Sequence, residues 1–190
     1  MESDESTAKY FLKAGKDNTE TTLRLAKRRA AELDIKTIII ASTGGETGAR
    51  AVKLFKGYRV IVVSHACGSR EPNKQEMSEE YISEIKAGGG HIVTAGHAFA
   101  GIDRAIRRKF NTYEISEIIA STLRLFGQGM KVAAEITMMA ADSGLVRTDE
   151  EIIAIGGSSR GADTAIVLNP VNSQDFFDMF IKEIICKPRL

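Results

Sequence analysis

The sequence predicts a three-layer α/β/α fold with a mainly parallel sheet of five or six strands. Three observations carry this. Apolar runs alternate with helix-length amphipathic segments, the pattern of a parallel sheet covered by helices. The runs Thr37–Ala41, Arg59–Val63 and Thr164–Leu168 have unbroken apolar interiors, as expected of strands buried on both faces. Two Gly/Ser/Thr loops, Ser42–Gly48 and Gly156–Gly161, each follow an apolar run directly.

Residues 1–14 read as an arm or a short partial helix. Asp17, with Glu20 three residues on, resembles a capping box and opens a helix to about Asp34. Leu23, Ala26, Ala30 and Leu33 share one face of that helix. The first strand is Lys36–Ala41. The Ser42–Gly48 loop then opens a helix to about Lys56, with Ala51, Val52 and Phe55 inward. The second strand is Arg59–Val63, followed by an irregular loop, Ser64 to Lys74. A helix over Ser78–Ala87 stops at Gly88-Gly89-Gly90 before the third strand, His91–Thr94. Helices near Ile102–Lys109, Glu114–Phe126 and Gln128–Ser143 follow, the last two hinged at Gly127-Gln128-Gly129. The fourth and fifth strands are Glu151–Ile155 and Thr164–Leu168. Ser173–Lys182 reads as a helix and Glu183–Cys186 as a last strand. No repeat, linker or low-complexity tract divides residues 1–190, so one domain is expected.

Composition narrows the function classes. The chain has 190 residues, 43% hydrophobic and 27% charged, and its 26 Lys+Arg against 25 Asp+Glu leave a net charge of +1. No bulk field draws it to nucleic acid or an acidic membrane. The basic clusters Lys27-Arg28-Arg29 and Arg104–Lys109 read as solvated helix faces. Two cysteines, Cys67 and Cys186, fit a reducing compartment. No apolar run approaches the ~18 residues of a membrane span, and the acidic start Met1–Glu5 lacks a secretory n-region. A cytoplasmic protein without membrane or nucleic-acid partners is expected.

Both glycine-rich loops leave carboxyl ends of strands, where ligands of open parallel sheets sit at a reversal of strand order. With the first and fourth strands as neighbours, the loops face each other. Gly44, Gly45 and Gly48 permit close backbone approach, and Ser42, Thr43 and Thr47 add hydroxyls at a helix N-terminus. Gly156, Gly157, Ser158, Ser159, Arg160 and Gly161 form the opposite wall, with Arg160 as a bidentate clamp. Neither loop is a Walker A or a G-x-G-x-x-G motif. The expected occupant is a phosphorylated small molecule.

The segments Thr37–Val52 (T-I-I-I-A-S-T-G-G-E-T-G-A-R-A-V) and Glu151–Leu168 (E-I-I-A-I-G-G-S-S-R-G-A-D-T-A-I-V-L) resemble the first and last segments of the pyruvate kinase C-terminal domain. The resemblance is closest to a stand-alone, mostly archaeal group of pyruvate kinase α/β-domain-like proteins, and it covers about Gly15 to Leu190. Leu123–Ile136 and His97–Gly101 look typical of that group. It implies the strand order 3-2-1-4-5 among the five main strands. It also implies a phosphate-binding pocket, with flavin mononucleotide (FMN) or a phosphosugar as occupant. Two departures limit the transfer. The chain has no room for the barrel that performs kinase chemistry, so kinase activity is not implied. Glu46 replaces the basic residue usual in the kinase effector loop, and the late-loop Trp is absent, so the effector is not carried over. Glu46 is expected to face hydroxyls or solvent.

Other side chains extend the candidate site. His65 follows the second strand, Thr94 ends the third and His97 follows it, all on the same edge; Gln128 begins a long helix from which it can read a ring edge. Glu135 on that helix is read as a paired or surface carboxylate, with a general base as the alternative. Three histidines without clustered cysteines or carboxylates make no metal site. Catalytic residues stay unassigned, and three readings stay open: an FMN-binding protein, a non-catalytic sensor of a sugar phosphate, and a hydrolase using His65 or Cys67. Phe176, Phe177 and Phe180 read as core or as subunit contact, so a homo-oligomer is also open.

Overall fold

A seven-stranded sheet with helices on both faces organises the chain, as shown by a computed structural model that describes residues 7–189. The elements in order are β1 (Lys9–Phe11), α1 (Thr19–Glu32), β2 (Thr37–Ala41), α2 (Glu46–Leu54), β3 (Arg59–Ser64), α3 (Glu79–Ala87), β4 (His91–Thr94), α4 (Gly101–Phe110), α5 (Ile115–Arg124), α6 (Gln128–Asp142), β5 (Ile152–Gly156), β6 (Thr164–Leu168) and β7 (Ile181–Pro188). The spatial order is β1-β7-β6-β5-β2-β3-β4. Its β4-β3-β2-β5-β6 portion is the expected order, and β7 and β1 extend the sheet beyond it.

Successive residues of each central strand feed opposite layers. Ile38, Ile40, Val60, Val62, Ile153 and Ile155 pack under α1, α2 and α3. Ile39, Ile61, Val63, Ile152 and Ala154 pack under α6, with Met130 and Met139 between. Helix α6 is therefore buried almost all round, because α5 covers its outer side through Ala120, Ala134 and Met138. β2 is parallel to both β3 and β5, whereas β6 runs antiparallel to β5 and β7.

Three local expectations are corrected. Within the arm, Lys9–Phe11 forms β1, pairing in parallel with β7 at Lys9↔Cys186; an edge strand's open N–H and C=O groups accept such a partner. Residues 1–6 of the arm, including the acidic start, lie outside the described residues. The Asp17 capping box does not form: Asp17 sits in a 3-10 turn, Lys16–Asn18, and Asn18 caps α1 without a side-chain bond. The helix expected at Ser173–Lys182 is only a 3-10 segment, Ser173–Asp178, broken at Asp175, because Ile181 already pairs with Leu168 of β6. Phe176 packs into the α5–α6 core, while Phe177 and Phe180 are exposed. Among the described residues no helix is long and apolar enough to cross a membrane.

The two thiols differ in environment. Cys186 is buried in β7, and burial pushes its thiol up to about 11. Cys67 is exposed on the loop after β3. Iodoacetamide at pH 8 should therefore label one thiol of the native protein, at Cys67, and two after denaturation; native labelling of Cys186 would contradict the packing of β7.

Candidate functional site

Because β2 and β5 are neighbours and parallel, their following loops meet at the carboxyl edge of the sheet, beside the point where strand order reverses. Between them lies a cavity of about 590 Å³.

The early loop forms one wall. The buried Ser42 hydroxyl accepts the Gly48 N–H at 3.0 Å, and the Ser42 N–H reaches Val63 O at 2.9 Å. Ser42 thus closes the first turn of α2 from inside the loop, the task of an N-cap. Gly45 makes the turn at φ 102°, where a Cβ would come within 2.4 Å of Tyr81 Cβ. Thr43, Gly44, Glu46 and Thr47 line the cavity, and a Cβ at Gly44 would meet open space. Glu46 is ion-paired to Arg50 at 2.7 Å, both largely exposed. Its charge is therefore met by a cation at the mouth.

The late loop forms the facing wall and is braced from behind. Asp163, fully buried, accepts the Gly15 N–H at 2.9 Å and the Ser158 N–H at 3.2 Å through Oδ2. Its Oδ1 accepts the Thr164 hydroxyl at 2.9 Å. The Ala162 N–H is held by Thr19 Oγ1 at 3.0 Å. Gly157, Ser158, Ser159, Arg160 and Gly161 then face the cavity. Among the described residues the N–H groups of Ser159, Arg160 and Gly161 have no internal acceptor, and the Arg160 side chain has no ion pair. Free donors of this kind are what an oxyanion requires.

The floor carries charge. The His65 and His97 rings meet edge to face with centroids 5.1 Å apart. His65 Nδ1 lies 2.8 Å from Glu76 Oε1, and Arg70 holds the other oxygen of that carboxylate at 3.0 Å. His97 Nδ1 lies 3.4 Å from Glu135 Oε2, which Lys131 Nζ approaches to 2.5 Å. The second Glu135 oxygen accepts the Phe99 N–H at 3.1 Å. Burial pushes the Glu135 carboxyl up, but the bond to His97 and the charge and bond of Lys131 outweigh it and hold it at about 2. Burial pushes the Lys131 ammonium down, against the pull of Glu135, and the Arg124 and Arg104 charges add to that. His97 Nε2 is buried without a hydrogen-bond partner. Val132, Ile136 and Met139 of α6 supply an apolar side.

Of the residues singled out in the sequence, Ser42, Thr43, Gly44, Glu46, Thr47, His65, His97, Gln128 and Gly157–Gly161 are brought together around this cavity. Gly45, Gly48, Thr94 and Gly156 stand behind its walls. Gly48 packs on Val62 and Ile85, and Gly156 on the Gly129 carbonyl. The Thr94 hydroxyl is engaged by Ser64 at 2.7 Å. Cys67 does not line the cavity. Arg70, Glu76 and Tyr81 line it without having been singled out, since they come from the irregular loop and from α3. Among the described residues no group of three or more His, Cys, Asp or Glu is placed to hold a metal ion.

Fold and site together define an α/β domain with two strand-end loops facing across a switch-point cavity. The sequence profile described as pyruvate kinase, alpha/beta domain, matches residues 20–168, and the chain belongs to that family. A pyruvate kinase from Cryptosporidium parvum is 13% identical, with 80% of this chain and 23% of that chain covered at a TM-score of 0.42. A Cryptosporidium parvum pyruvate kinase in complex with ADP is likewise 13% identical, with 87% and 24% covered and a TM-score of 0.38. An O-ureido-L-serine synthase is 20% identical, with 72% and 41% covered and a TM-score of 0.31. The chain thus spans about a quarter of the length of the pyruvate kinases it matches.

Proposed function

We propose that the cavity binds a phosphorylated small molecule, and that the molecule is FMN. The observation that carries this is the facing of the two loops across one cavity, with the free N–H groups of Ser159, Arg160 and Gly161 and the unpaired Arg160 side chain on one of them. Helix α2 adds the positive end of its dipole to the same wall. The remaining donor set suits the rest of an FMN molecule. Glu46 and Thr47 offer acceptors and a hydroxyl to a ribityl chain. Gln128 and the unpartnered His97 Nε2 offer polar contacts to a ring edge, and Val132, Ile136 and Met139 offer an apolar face. Bound FMN supplies one- and two-electron redox chemistry. The chain's own part is to hold the phosphate, to fix the ring beside the two imidazoles, and to keep the Glu135 charge in place. Pyruvate kinase activity is no part of this reading.

A second reading, a sensor of a sugar phosphate, is favoured by the carboxylates Glu76 and Glu135 at the floor, which suit hydroxyl-rich ligands. The Arg160→Ala variant tests the shared element. A charge-assisted bond is worth about 1.5–3 kcal/mol, so FMN affinity should fall roughly ten- to a hundredfold. The melting temperature of the free protein should not move, because Arg160 is exposed and unpaired. Unchanged affinity for FMN and for every sugar phosphate tried would remove the two-loop cup. Sugar phosphates that raise the melting temperature where FMN does not would select the sensor.

A further inference from the structure

A second concave feature lies outside the cavity described above. Helices α4 and α5 enclose a groove of about 490 Å³ lined by Arg104, Arg107, Arg108 and Arg124, with Tyr113 and Glu117 beside them. Four guanidinium groups face one carboxylate there, in a chain whose net charge is only +1. A solvated basic helix face spreads its charges over a convex surface. Here two helices converge theirs on one hollow, where like charges repel unless an anion enters.

The groove is also partly pre-organised. Arg107 is held by Glu117 at 3.0 Å and lies over the Tyr113 ring, 4.6 Å from its centroid. Arg124 Nε donates to Gln128 Oε1 at 2.7 Å. Arg104 and Arg108 have no side-chain hydrogen bond or ion pair among the described residues. Two guanidinium forks are thus fixed in place and two are free to close on a ligand, which lowers the ordering cost of binding. Glu117 meets Arg107 through Oε1 and its Oε2 has no hydrogen-bond partner among the described residues, so its one charge offsets one of the four guanidinium charges.

We propose that this groove is a second anion site, built for a polyphosphate chain of two or more phosphates, free or carried on a nucleoside. Planar guanidinium forks bind phosphate oxygens bidentately, and several in one hollow match several linked phosphates better than a single one. The hydrogen bond from Arg124 to Gln128 joins this site to the wall of the main cavity. The proposal does not depend on what occupies that cavity.

Calorimetric titration with inorganic tripolyphosphate at about 0.15 M salt, where surface charges beyond ~8 Å are screened, tests it. The wild-type chain should bind one equivalent that survives Arg160→Ala. Arg104→Gln with Arg108→Gln should weaken that equivalent at least tenfold without shifting the melting temperature. The corresponding lysine pair keeps the charge and loses the fork, and should bind with intermediate affinity. ATP matching tripolyphosphate identifies the polyphosphate as the recognised part, and ATP binding tighter places a nucleoside on the site as well. The proposal is overturned if the double glutamine variant binds tripolyphosphate like wild type, or if Arg160→Ala abolishes all binding. It is also overturned if oligonucleotides bind more tightly with each added length and displace tripolyphosphate, since the groove is then a nucleic-acid face.

Discussion

Lys131→Met is expected to lose about 3–5 kcal/mol of folding stability, because it leaves a buried carboxylate without its cation. Lys131 and Glu135 lie one turn apart on α6, their side chains 8% and 4% exposed, in a helix otherwise packed with alanine and methionine. Without the ammonium, Glu135 keeps only the Phe99 N–H and the longer contact to His97. In urea or thermal melts the loss corresponds to roughly 6–20 °C for a chain of this size. The double change Lys131→Met with Glu135→Leu should recover most of it, since replacing both members of a buried pair by apolar groups is often close to neutral. The pH profile carries the same signature. A carboxyl held at about 2 in the folded state, against 4.5 ordinarily, stabilises the fold above pH 4.5 and stops doing so as pH falls toward 2. In Lys131→Met this loss between pH 4.5 and 2 should be smaller, because without the ammonium the folded carboxyl no longer titrates so far below its ordinary value. A variant within 1 kcal/mol of wild type would mean that water or another group compensates Glu135.

Gly129→Val is the second large expected effect. A Cβ at Gly129 would lie 2.1 Å from Thr164 Oγ1, 2.5 Å from Thr164 Cβ and 3.0 Å from Asp163 Oδ1. The start of α6 therefore rests directly on β6, and a side chain there must push the helix away. Overpacking of this kind costs about 1–3 kcal/mol or more. It also displaces Gln128 and Glu135 from the cavity and disturbs Asp163, which braces the late loop, so ligand affinity should fall with stability. Gly44→Ala is the contrasting case. A Cβ there meets open space in the cup, so stability should be unchanged while the ligand feels the methyl group. A Gly129→Val protein that melts within 1 °C of wild type would show that α6 is not seated as described.

The central architecture was legible because it is written in long apolar runs. Ile38–Ile40 and Ile152–Ile155 can lie only in the middle of a doubly covered sheet, and each run hands the chain to a glycine-rich turn. The two walls of the cavity followed from those turns. Less could be read where tertiary partners decide. Lys9–Phe11 is three residues long and becomes a strand only because β7 offers an edge. Glu135 reads in the sequence as a paired or surface carboxylate, and its partner Lys131 is not singled out; the burial of both follows from α5 covering α6. Arg70 and Glu76 belong to an irregular loop whose path no periodicity reports, so the Arg70–Glu76–His65 chain emerged only in three dimensions. Asp163 follows the late loop in sequence, yet its task, holding Gly15 and Ser158 from behind, depends on the N-terminal segment docking there.

Comparing FMN with riboflavin by calorimetry or flavin fluorescence is the most direct test of the phosphate cup. The two ligands share the ring and the ribityl chain and differ in the phosphate alone. The purified chain should bind FMN at one equivalent and riboflavin at least tenfold more weakly, with the difference lost in Arg160→Ala. Equal affinity for both, or no binding of FMN at all, would contradict an FMN phosphate held between the two loops.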